Sequence, residues 1–314
     1  MGNKIATREA YGKALVKLSN LNNDVVVLDA DLSKSTKTAD FKAVSPERFI
    51  NMGIAESNMM GVAAGLSTCG KIPFASTFAM FAAGRAFEQI RNSICYPNLN
   101  VKICATHAGL TVGEDGATHQ SIEDISLMRS IPNMTVINPA DAVETEAAIL
   151  AIAEYNGPFY VRLGRLAVSV INDSDNYKFE IGKGVTLAQG NDVTIVATGM
   201  MVELALEAKD ELAKEGINAR VINIHTIKPI DKEILVNAAK ETGAIVTAEE
   251  HSVIGGLGSA VAEVVTEEYP VPVVKVGIKD TFGESGKPNE LLKAYGLTVE
   301  SIVENSKKAV SLKK

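Results

Sequence analysis

Two histidines and an acid lie within one short glycine-rich stretch, residues 106–120, T-H-A-G-L-T-V-G-E-D-G-A-T-H-Q. His107 and His119 are two of the four histidines in the chain, and Asp115 lies between them. Imidazoles and carboxylates move protons and bond hydroxyl groups, and glycines let a backbone turn and approach a ligand closely. The stretch follows an apolar run, residues 101–106, so it fits a loop at the carboxyl end of a strand. Open α/β sheets bind ligands at that end, which favours a ligand-binding loop over a solvated turn.

Further candidates lie near the expected ends of other strands. Glu56 is either an acid at a helix start, favoured by the helix dipole, or a buried proton carrier. Phe78 and Phe81 are either core residues or a pair of rings facing a flat ligand. Three arginines near loop edges are solvated charges individually but together could hold a phosphate: Arg8, Arg162 and Arg165.

Three local patterns affect how these residues are positioned. Residues 31–36 are expected to form a polar loop, and residues 80–94 are expected to form one long helix. Residues 255–259, G-G-L-G-S, open a helix after a strand, where a phosphate could bind. They lack the full dinucleotide-binding fingerprint, so we expect a tight turn with a docked helix instead.

The composition limits the class of protein. The 314 residues allow about two domains, and the hydrophobic content of 46% and charged content of 22% are ordinary for a globular protein. A net charge of −7 without an extended basic run argues against nucleic-acid binding. Neither a membrane span nor a signal peptide is visible, so we expect a cytoplasmic protein. The three cysteines, at positions 69, 95 and 104, are expected to be buried free thiols.

Strand-like and helix-like segments alternate along the chain. Continuous apolar runs such as residues 25–29 are typical of strands buried in a parallel sheet, and amphipathic segments such as Thr7 to Leu21 are typical of the helices that cover it. The pattern predicts an α/β protein with two domains, each a mostly parallel sheet flanked by helices. The expected ranges are 1–170 for the first domain, 171–188 for a polar linker and 189–314 for the second domain.

Taken together, these segments resemble transketolase over nearly the whole chain. Residues 113–120, G-E-D-G-A-T-H-Q, resemble the family's G-E-D-G-P-T-H-Q, which is a highly specific motif. Residues 48–56, R-F-I-N-M-G-I-A-E, match its R-F-x-x-x-G-I-x-E pattern, and residues 29–35 resemble its A-D-L-x-x-S segment. Ala6 to Arg8 resemble its entry helix. The resemblance is to the C-terminal half of the family, in which a domain that binds the aminopyrimidine of thiamin diphosphate precedes a smaller C-terminal domain.

The resemblance implies a role for each candidate residue. Glu56 corresponds to the acid that bonds N1′ of the aminopyrimidine, and Asp31 corresponds to another acid of the cofactor site. Phe78 and Phe81 correspond to aromatics around the ring. The implied catalytic residues are Glu56, His107, Asp115 and His119, and the implied sugar-phosphate ligands are Arg8, Ser35, His107 and Arg165. Two positions depart from the family pattern: Ala117 replaces a proline, and Gly84 stands where an aromatic is common.

The family's other half binds the diphosphate through Mg²⁺ with a G-D-G and a downstream Asn, and no G-D-G occurs in this chain. The resemblance therefore implies the C-terminal subunit of a split transketolase of the pentose phosphate pathway. A separate N-terminal subunit would hold the diphosphate and Mg²⁺, so thiamin diphosphate would be shared between chains in a dimer of heterodimers. The implied reaction moves a two-carbon ketol unit from a ketose phosphate to an aldose phosphate.

Other functions stay open at this point. The β subunit of a 2-oxo acid dehydrogenase has a similar length and the same two domains, but its small substrates need no phosphate ligands such as Arg8, Ser35 and Arg165. Deoxyxylulose-phosphate synthase normally keeps both halves on one chain. A non-catalytic scaffold of the same fold should have lost part of the implied catalytic set, and every member of that set is present.

Overall fold

The computed structural model describes residues 3–313, which form two helix-covered sheets and a short two-stranded ribbon. The strands are β1 (Lys4–Ala6), β2 (Val25–Asp29), β3 (Phe49–Asn51), β4 (Ile72–Phe78), β5 (Lys102–Thr106), β6 (Thr135–Ile137), β7 (Phe159–Arg162), β8 (Ala167–Ser169), β9 (Val185–Ala188), β10 (Val193–Ala197), β11 (Ala219–Asn223), β12 (Thr226–Lys228), β13 (Ile245–Ser252) and β14 (Val273–Ile278). The α-helices are α1 (Thr7–Leu21), α2 (Ser33–Thr36), α3 (Thr38–Val44), α4 (Glu56–Thr68), α5 (Phe87–Gln89), α6 (Asp124–Ser130), α7 (Ala142–Glu154), α8 (Met201–Lys214), α9 (Lys232–Thr242), α10 (Leu257–Glu268), α11 (Pro288–Ala294) and α12 (Val299–Ser311).

The first sheet has the strand order β12-β6-β7-β5-β4-β2-β3, and the second has the order β14-β13-β10-β11-β9. Within each sheet one edge strand is antiparallel, β12 in the first and β9 in the second, and every other pairing is parallel. The predicted α/β architecture with two mostly parallel, helix-flanked sheets is therefore confirmed.

Burial explains why these segments fold as they do. Every residue of β2, β5 and β10 is buried, as expected for continuous apolar runs in a sheet covered on both faces. Helix α1 buries Ala10, Ala14, Leu15 and Leu18, the apolar face that its periodicity predicts. This face packs the helix firmly against the first sheet, so the residues at its amino end have fixed positions.

Two local predictions were wrong in the first domain. Residues 31–36 are not a plain loop, because α2 begins within them and α3 follows directly. The buried carboxylate of Asp29 organises this segment by accepting hydrogen bonds from the Thr36 and Thr38 hydroxyls at 2.6 and 2.9 Å. Residues 80–94 do not form one regular helix, because π-helical turns at Phe81–Arg85 and Ile90–Cys95 flank α5. An apolar pattern cannot separate π turns from α turns, and π turns are frequent at functional sites.

Of the short strands that the sequence pattern did not suggest, two belong to the large sheets. β9 falls in the range expected for a linker and is the edge strand of the second sheet. β12 comes after β11 along the chain, yet it extends the first sheet by pairing with β6. The two sheets are therefore linked by more than a single polar segment.

Two remaining expectations concern cysteines and membranes. Cys95 and Cys104 are buried free thiols as predicted, but Cys69 is exposed because it lies just beyond the end of α4. Within residues 3–313, no helix combines the length and apolarity needed to cross a bilayer.

Candidate active site

The predicted site residues lie at the carboxyl edge of the first sheet. Strands β5, β4, β2 and β3 are parallel neighbours in the sheet, so the residues that follow them lie next to each other along its carboxyl edge. Phe78 ends β4, His107 directly follows β5, and Glu56 begins the helix after β3. The topology therefore places residues that are distant in sequence, such as Glu56 and His107, which are 51 positions apart, along the same edge of the sheet.

Rings form the centre of this group. The Phe78 and His107 rings stack with centroids 3.9 Å apart and planes inclined by 26°. Phe81 lies 6.0 Å from Phe78 in a stacked orientation. The His119 ring meets Phe81 edge-on, with a centroid separation of 5.4 Å and an interplanar angle of 75°. This arrangement offers flat apolar faces next to imidazole nitrogens.

His107 is held in one orientation and is uncharged. Its Nδ1 lies 2.9 Å from the Thr106 hydroxyl, and its Nε2 lies 3.4 Å from Nη1 of Arg8. A guanidinium can only donate, so Nε2 is the acceptor and Nδ1 carries the proton. Burial, together with the charges of Arg8 and Arg165 and the nearby His119, lowers the pKa of His107 to about 3. The ring is therefore a neutral hydrogen-bonding group at physiological pH.

Two guanidinium groups flank the imidazole. Arg8 donates to the Ser35 backbone oxygen at 2.9 Å, and its own Nε is buried without a hydrogen-bond partner in the described part of the chain. Arg165 donates to the backbone oxygen of Val112 and lies 3.5 Å from Glu114. Two cations beside an uncharged ring form an environment that attracts an anion.

Glu56 is a nearly inaccessible carboxylate at the edge of the ring cluster. Its side chain is 1% exposed, and Oε2 accepts a hydrogen bond from Nη1 of Arg85 at 2.8 Å. The Arg85 guanidinium also lies 4.7 Å from the centroid of the Phe81 ring. Sequence reasoning missed Arg85. The available signal was its spacing, because a residue four places after Phe81 shares a helical face with it.

The structure does not place every implied residue in this cluster. Asp31 is exposed, has a positive φ of 64° and accepts a hydrogen bond from Asn51 at 2.9 Å. Asp115 is exposed, and within residues 3–313 no hydrogen bond or ion pair joins its side chain to the ring cluster. The two departures from the family pattern, Gly84 and Ala117, are exposed as well.

Arg162 does not belong to the anion-binding group, contrary to one of the sequence interpretations. It is 3% exposed, and its Nε bonds both carboxylate oxygens of Asp124 at 2.9 and 3.2 Å. Its Nη2 donates to the backbone oxygens of Ser121 and Glu250. The guanidinium is paired with Asp124, and its Nε and Nη2 donate to residues of both domains, so Arg162 joins the two domains.

The glycine-rich stretch at 255–259 forms a turn with a docked helix. The carboxylate of Glu249 accepts hydrogen bonds from the backbone nitrogens of Leu257 and Gly258 at 2.7 and 2.8 Å. The positive end of α10 is thus occupied by a side chain of the protein itself, as an acid at a helix N-terminus should be. In the described residues, no group of three or more metal-ligating His, Cys, Asp or Glu side chains occurs.

The fold and the site together define an α/β protein that brings aromatic rings, a buried carboxylate and two guanidinium groups to the carboxyl edge of its first sheet. Residues 3–170 match the family "Transketolase, pyrimidine binding domain", and residues 182–302 match "Transketolase, C-terminal domain". The chain belongs to the transketolase family.

Individual relatives agree with the domain matches. The chain is 54% identical, over 94% of its length and 93% of the relative's, to a "Putative transketolase C-terminal section" of Methanocaldococcus jannaschii. It is 47% identical, over 94% of this chain and 92% of the relative, to the "6-deoxy-6-sulfo-D-fructose transketolase subunit SqwH" of a Clostridium species. The transketolase of Rattus norvegicus is 39% identical over 99% of this chain but only 50% of its own length.

A solved structure described as "Split gene transketolase, inactive beta4 tetramer" superimposes with a TM-score of 0.93 at 64% identity, covering 99% of this chain and 100% of that one. The chain therefore matches split transketolase C-terminal sections in length and the full-length rat enzyme over about half of it. The similarity to transketolase C-terminal subunits predicted from the sequence motifs is confirmed.

Proposed function

We propose that this chain is the C-terminal subunit of a thiamin-diphosphate-dependent transketolase that moves a two-carbon ketol unit from a ketose phosphate to an aldose phosphate. The observation that carries the proposal is the buried Glu56 carboxylate, which is bonded by the same Arg85 guanidinium that lies over the ring of Phe81, itself stacked with Phe78. Membership of the transketolase family supports dependence on thiamin diphosphate.

The residues present fit the aminopyrimidine half of that cofactor. Arg85 bonds Oε2 of Glu56, and within the described residues Oε1 makes no hydrogen bond to protein. Oε1 is therefore available to share a proton with a ring nitrogen such as N1′. Phe78 and Phe81 would hold the heteroaromatic ring by stacking, which favours flat ligands of this size.

The chemistry divides between the cofactor and the protein. When bound, thiamin diphosphate supplies the nucleophilic carbon that cleaves the bond beside a carbonyl group and carries the two-carbon fragment. Glu56 would hold the proton at N1′, and the buried position of this carboxylate keeps water from competing for it. His119, which is partly exposed at the edge of Phe81, would exchange protons with substrate hydroxyls.

The two arginines suggest how the substrate is recognised. Arg8 and Arg165 would bind the anionic end of the sugar, and Nε2 of the uncharged His107 would accept a hydrogen bond from a neighbouring hydroxyl. A phosphate fits this pair, and so does a sulfonate, because both present several oxygens with a negative charge. The named substrates of relatives include both chemistries: the sulfofructose of the Clostridium subunit and the apulose 4-phosphate of a Phocaeicola vulgatus subunit that is 39% identical.

The proposal includes a partner chain. Full-length rat transketolase is about twice as long as the segment it shares with this chain. We propose that a separate N-terminal transketolase subunit supplies the diphosphate and Mg²⁺ site and that two such pairs associate as a dimer of heterodimers. The cofactor would then lie between chains, with Asp31 near its edge and Asp115 closing on the substrate.

The test uses the purified chain combined with an N-terminal transketolase subunit from the same genome. A coupled assay should show transfer from a ketose phosphate to an aldose phosphate and little reaction with pyruvate, the substrate class of the 2-oxo acid dehydrogenase alternative. A sulfofructose donor in a parallel assay separates a sulfonate preference from a phosphate preference.

A substitution in the same mixture tests the role of the carboxylate. Glu56→Gln should abolish nearly all turnover while circular dichroism and the melting temperature stay close to wild type. Glu47→Gln, at an acid whose side chain is 68% exposed, is the matched control and should keep full activity. Wild-type turnover by Glu56→Gln, or full-speed transfer by the chain without its partner, would refute the proposal.

A further inference from the structure

The loop that carries the two active-site histidines is held from outside by the second domain. Glu250 lies in β13, and its Oε1 accepts a hydrogen bond from the backbone nitrogen of Thr111 at 2.7 Å, across 139 positions of sequence. Gly109 approaches the same carboxylate so closely that an added Cβ would lie 2.3 Å from the carboxyl carbon of Glu250. A side chain of the second domain thus fits directly against the backbone of the loop.

Three further contacts fix the remainder of the loop. Nε2 of Gln120 donates to the backbone oxygen of Glu284 at 2.9 Å. A Cβ added to Gly116 would lie 2.5 Å from the Ser285 hydroxyl, and one added to Gly113 would lie 3.2 Å from the ring of Pro288.

All three glycines of the loop have positive φ angles and face the second domain: Gly109 at 83°, Gly113 at 85° and Gly116 at 76°. Their sequence pattern suggested close approach to a ligand, but in the structure they allow close approach of the second domain.

The burial of Glu250 needs an explanation, because a desolvated carboxylate is costly unless it is paired and bonded. Burial raises its pKa, and the nearby Arg162 guanidinium and the hydrogen bonds from Thr111 oppose that rise. Arg162 also donates to the Glu250 backbone oxygen at 2.9 Å and pairs with Asp124. The charge is thus accommodated at the domain boundary, and the side-chain hydrogen bonds it makes go to the loop.

We propose that Glu250 is a positioning residue for ketol transfer, because it sets the position of the loop and through it the positions of His107 and His119. The proposal rests on the proposed function. Gly109 is two residues from His107, whose ring must keep its stack on Phe78, and a displacement of about 1 Å at a reacting group can cost about 100-fold in rate. The second domain therefore contributes to the site through the position of the loop.

The first test compares three variants in the enzyme assembled with its N-terminal subunit. Glu250→Ala should lower turnover about 100-fold and leave the affinity for thiamin diphosphate within about twofold. Glu250→Gln keeps an oxygen that can accept from Thr111 and should retain turnover within about fivefold of wild type. Glu249→Ala is the matched control, because this neighbouring buried carboxylate also accepts from backbone nitrogens, but those belong to α10.

The second test is independent of activity. Amide hydrogen exchange of residues 109–120, measured on the chain alone, should accelerate about tenfold in Glu250→Ala and stay unchanged in Glu249→Ala. Gly109→Ala provides a second variant if Glu250→Ala does not fold, since its Cβ pushes the same two surfaces apart. In the double variant that combines Gly109→Ala with Glu250→Gln, the effects on turnover and on exchange should be smaller than the sums of the effects of the two single variants.

The outcomes separate this inference from the proposed function. An inactive wild-type assembly refutes the proposed function, while the exchange experiment still reports on the contact. The inference is overturned if Glu250→Ala slows turnover no more than Glu249→Ala does, or if the loop exchanges at the wild-type rate in Glu250→Ala.

Discussion

Replacing Arg85 with methionine is expected to lower the free energy of unfolding of the first domain by about 1–2 kcal/mol. The substitution removes the guanidinium that bonds Glu56 at 2.8 Å and keeps an unbranched side chain that can still cover Phe81. The carboxylate then remains in its buried position without a cationic partner. Its unpaired charge is the physical reason for the loss.

The magnitude follows from how each partner is exposed. Breaking a fully buried ion pair by removing one partner costs about 3–5 kcal/mol, and breaking an exposed pair costs about 0–1 kcal/mol. Glu56 is 1% exposed and Arg85 is 50% exposed, so the pair lies between these limits. The amino end of α4 continues to favour the negative charge by about 0.5 kcal/mol and brings the expected loss to the lower part of the range.

Calorimetry of four proteins measures this effect: wild type, Arg85→Met, Glu56→Gln and the double variant. A loss of 1–2 kcal/mol corresponds to a fall in melting temperature of about 3–6 °C for a domain of this size. In the Glu56→Gln background residue 56 carries no charge, so loss of the guanidinium leaves no unpaired buried charge. Arg85→Met should then change the free energy of unfolding by less than about 0.5 kcal/mol. An equal cost in both backgrounds would show that the pair is not coupled and would refute the reasoning.

Other contacts near the site support smaller, independent expectations. Arg8→Lys should raise the KM for the phosphorylated donor about tenfold, because a lysine ammonium lacks the planar fork with which a guanidinium bonds an anion through two parallel hydrogen bonds; an unchanged KM in steady-state kinetics would contradict the anion site. The His107 ring should stay neutral between pH 8 and 5, since burial and nearby cations lower its pKa to about 3, and ring ¹⁵N shifts that titrate near 6.5 would be inconsistent with this. Because the unfolded chain binds that proton below about 6.5 and the native state only near 3, this histidine makes the fold lose stability as the pH falls through that window. Tyr11→Phe should lower the free energy of unfolding by about 1 kcal/mol, because the buried hydroxyl is 2.6 Å from that of Ser76. Tyr96→Phe, at a side chain that is 86% exposed, is its control and should leave the melting temperature unchanged.

Much of the fold and the location of the site could be predicted from local patterns. Apolar runs such as residues 25–29 predict a strand that is buried on both faces of a sheet. The apolar face of α1 predicts the side on which the helix packs. The loop at 106–120 could be placed at a strand's carboxyl end because it directly follows the apolar run at residues 101–106. These signals are carried by neighbouring residues and need no knowledge of the rest of the chain.

The predictions that were wrong or missing share one physical cause: each depends on a contact between segments that are distant along the chain. The π turn at Phe81–Arg85 preserves the apolar pattern of a helix while changing which side chains meet, so the contact of Arg85 with Glu56 could not be predicted. Arg162 carries the same charge as Arg8 and lies as close to a loop. Its ion pair with Asp124 and its hydrogen bond to the Glu250 backbone oxygen across the domain boundary make it structural. β12 joins the first sheet through a pairing that its three residues do not encode.

The sequence by itself determined the kinds of chemistry present: a carboxylate, rings, imidazoles and guanidinium groups at the ends of strands in a parallel sheet. Periodicity and residue type are local properties of the chain, so both can be determined from the sequence without a structure. Only the tertiary structure decided which of these groups are neutral, paired or free, because desolvation and ion pairing depend on neighbours that are distant along the chain. The position of Glu250 against Thr111 shows this most directly, since a carboxylate 139 residues away holds the loop that the sequence singled out.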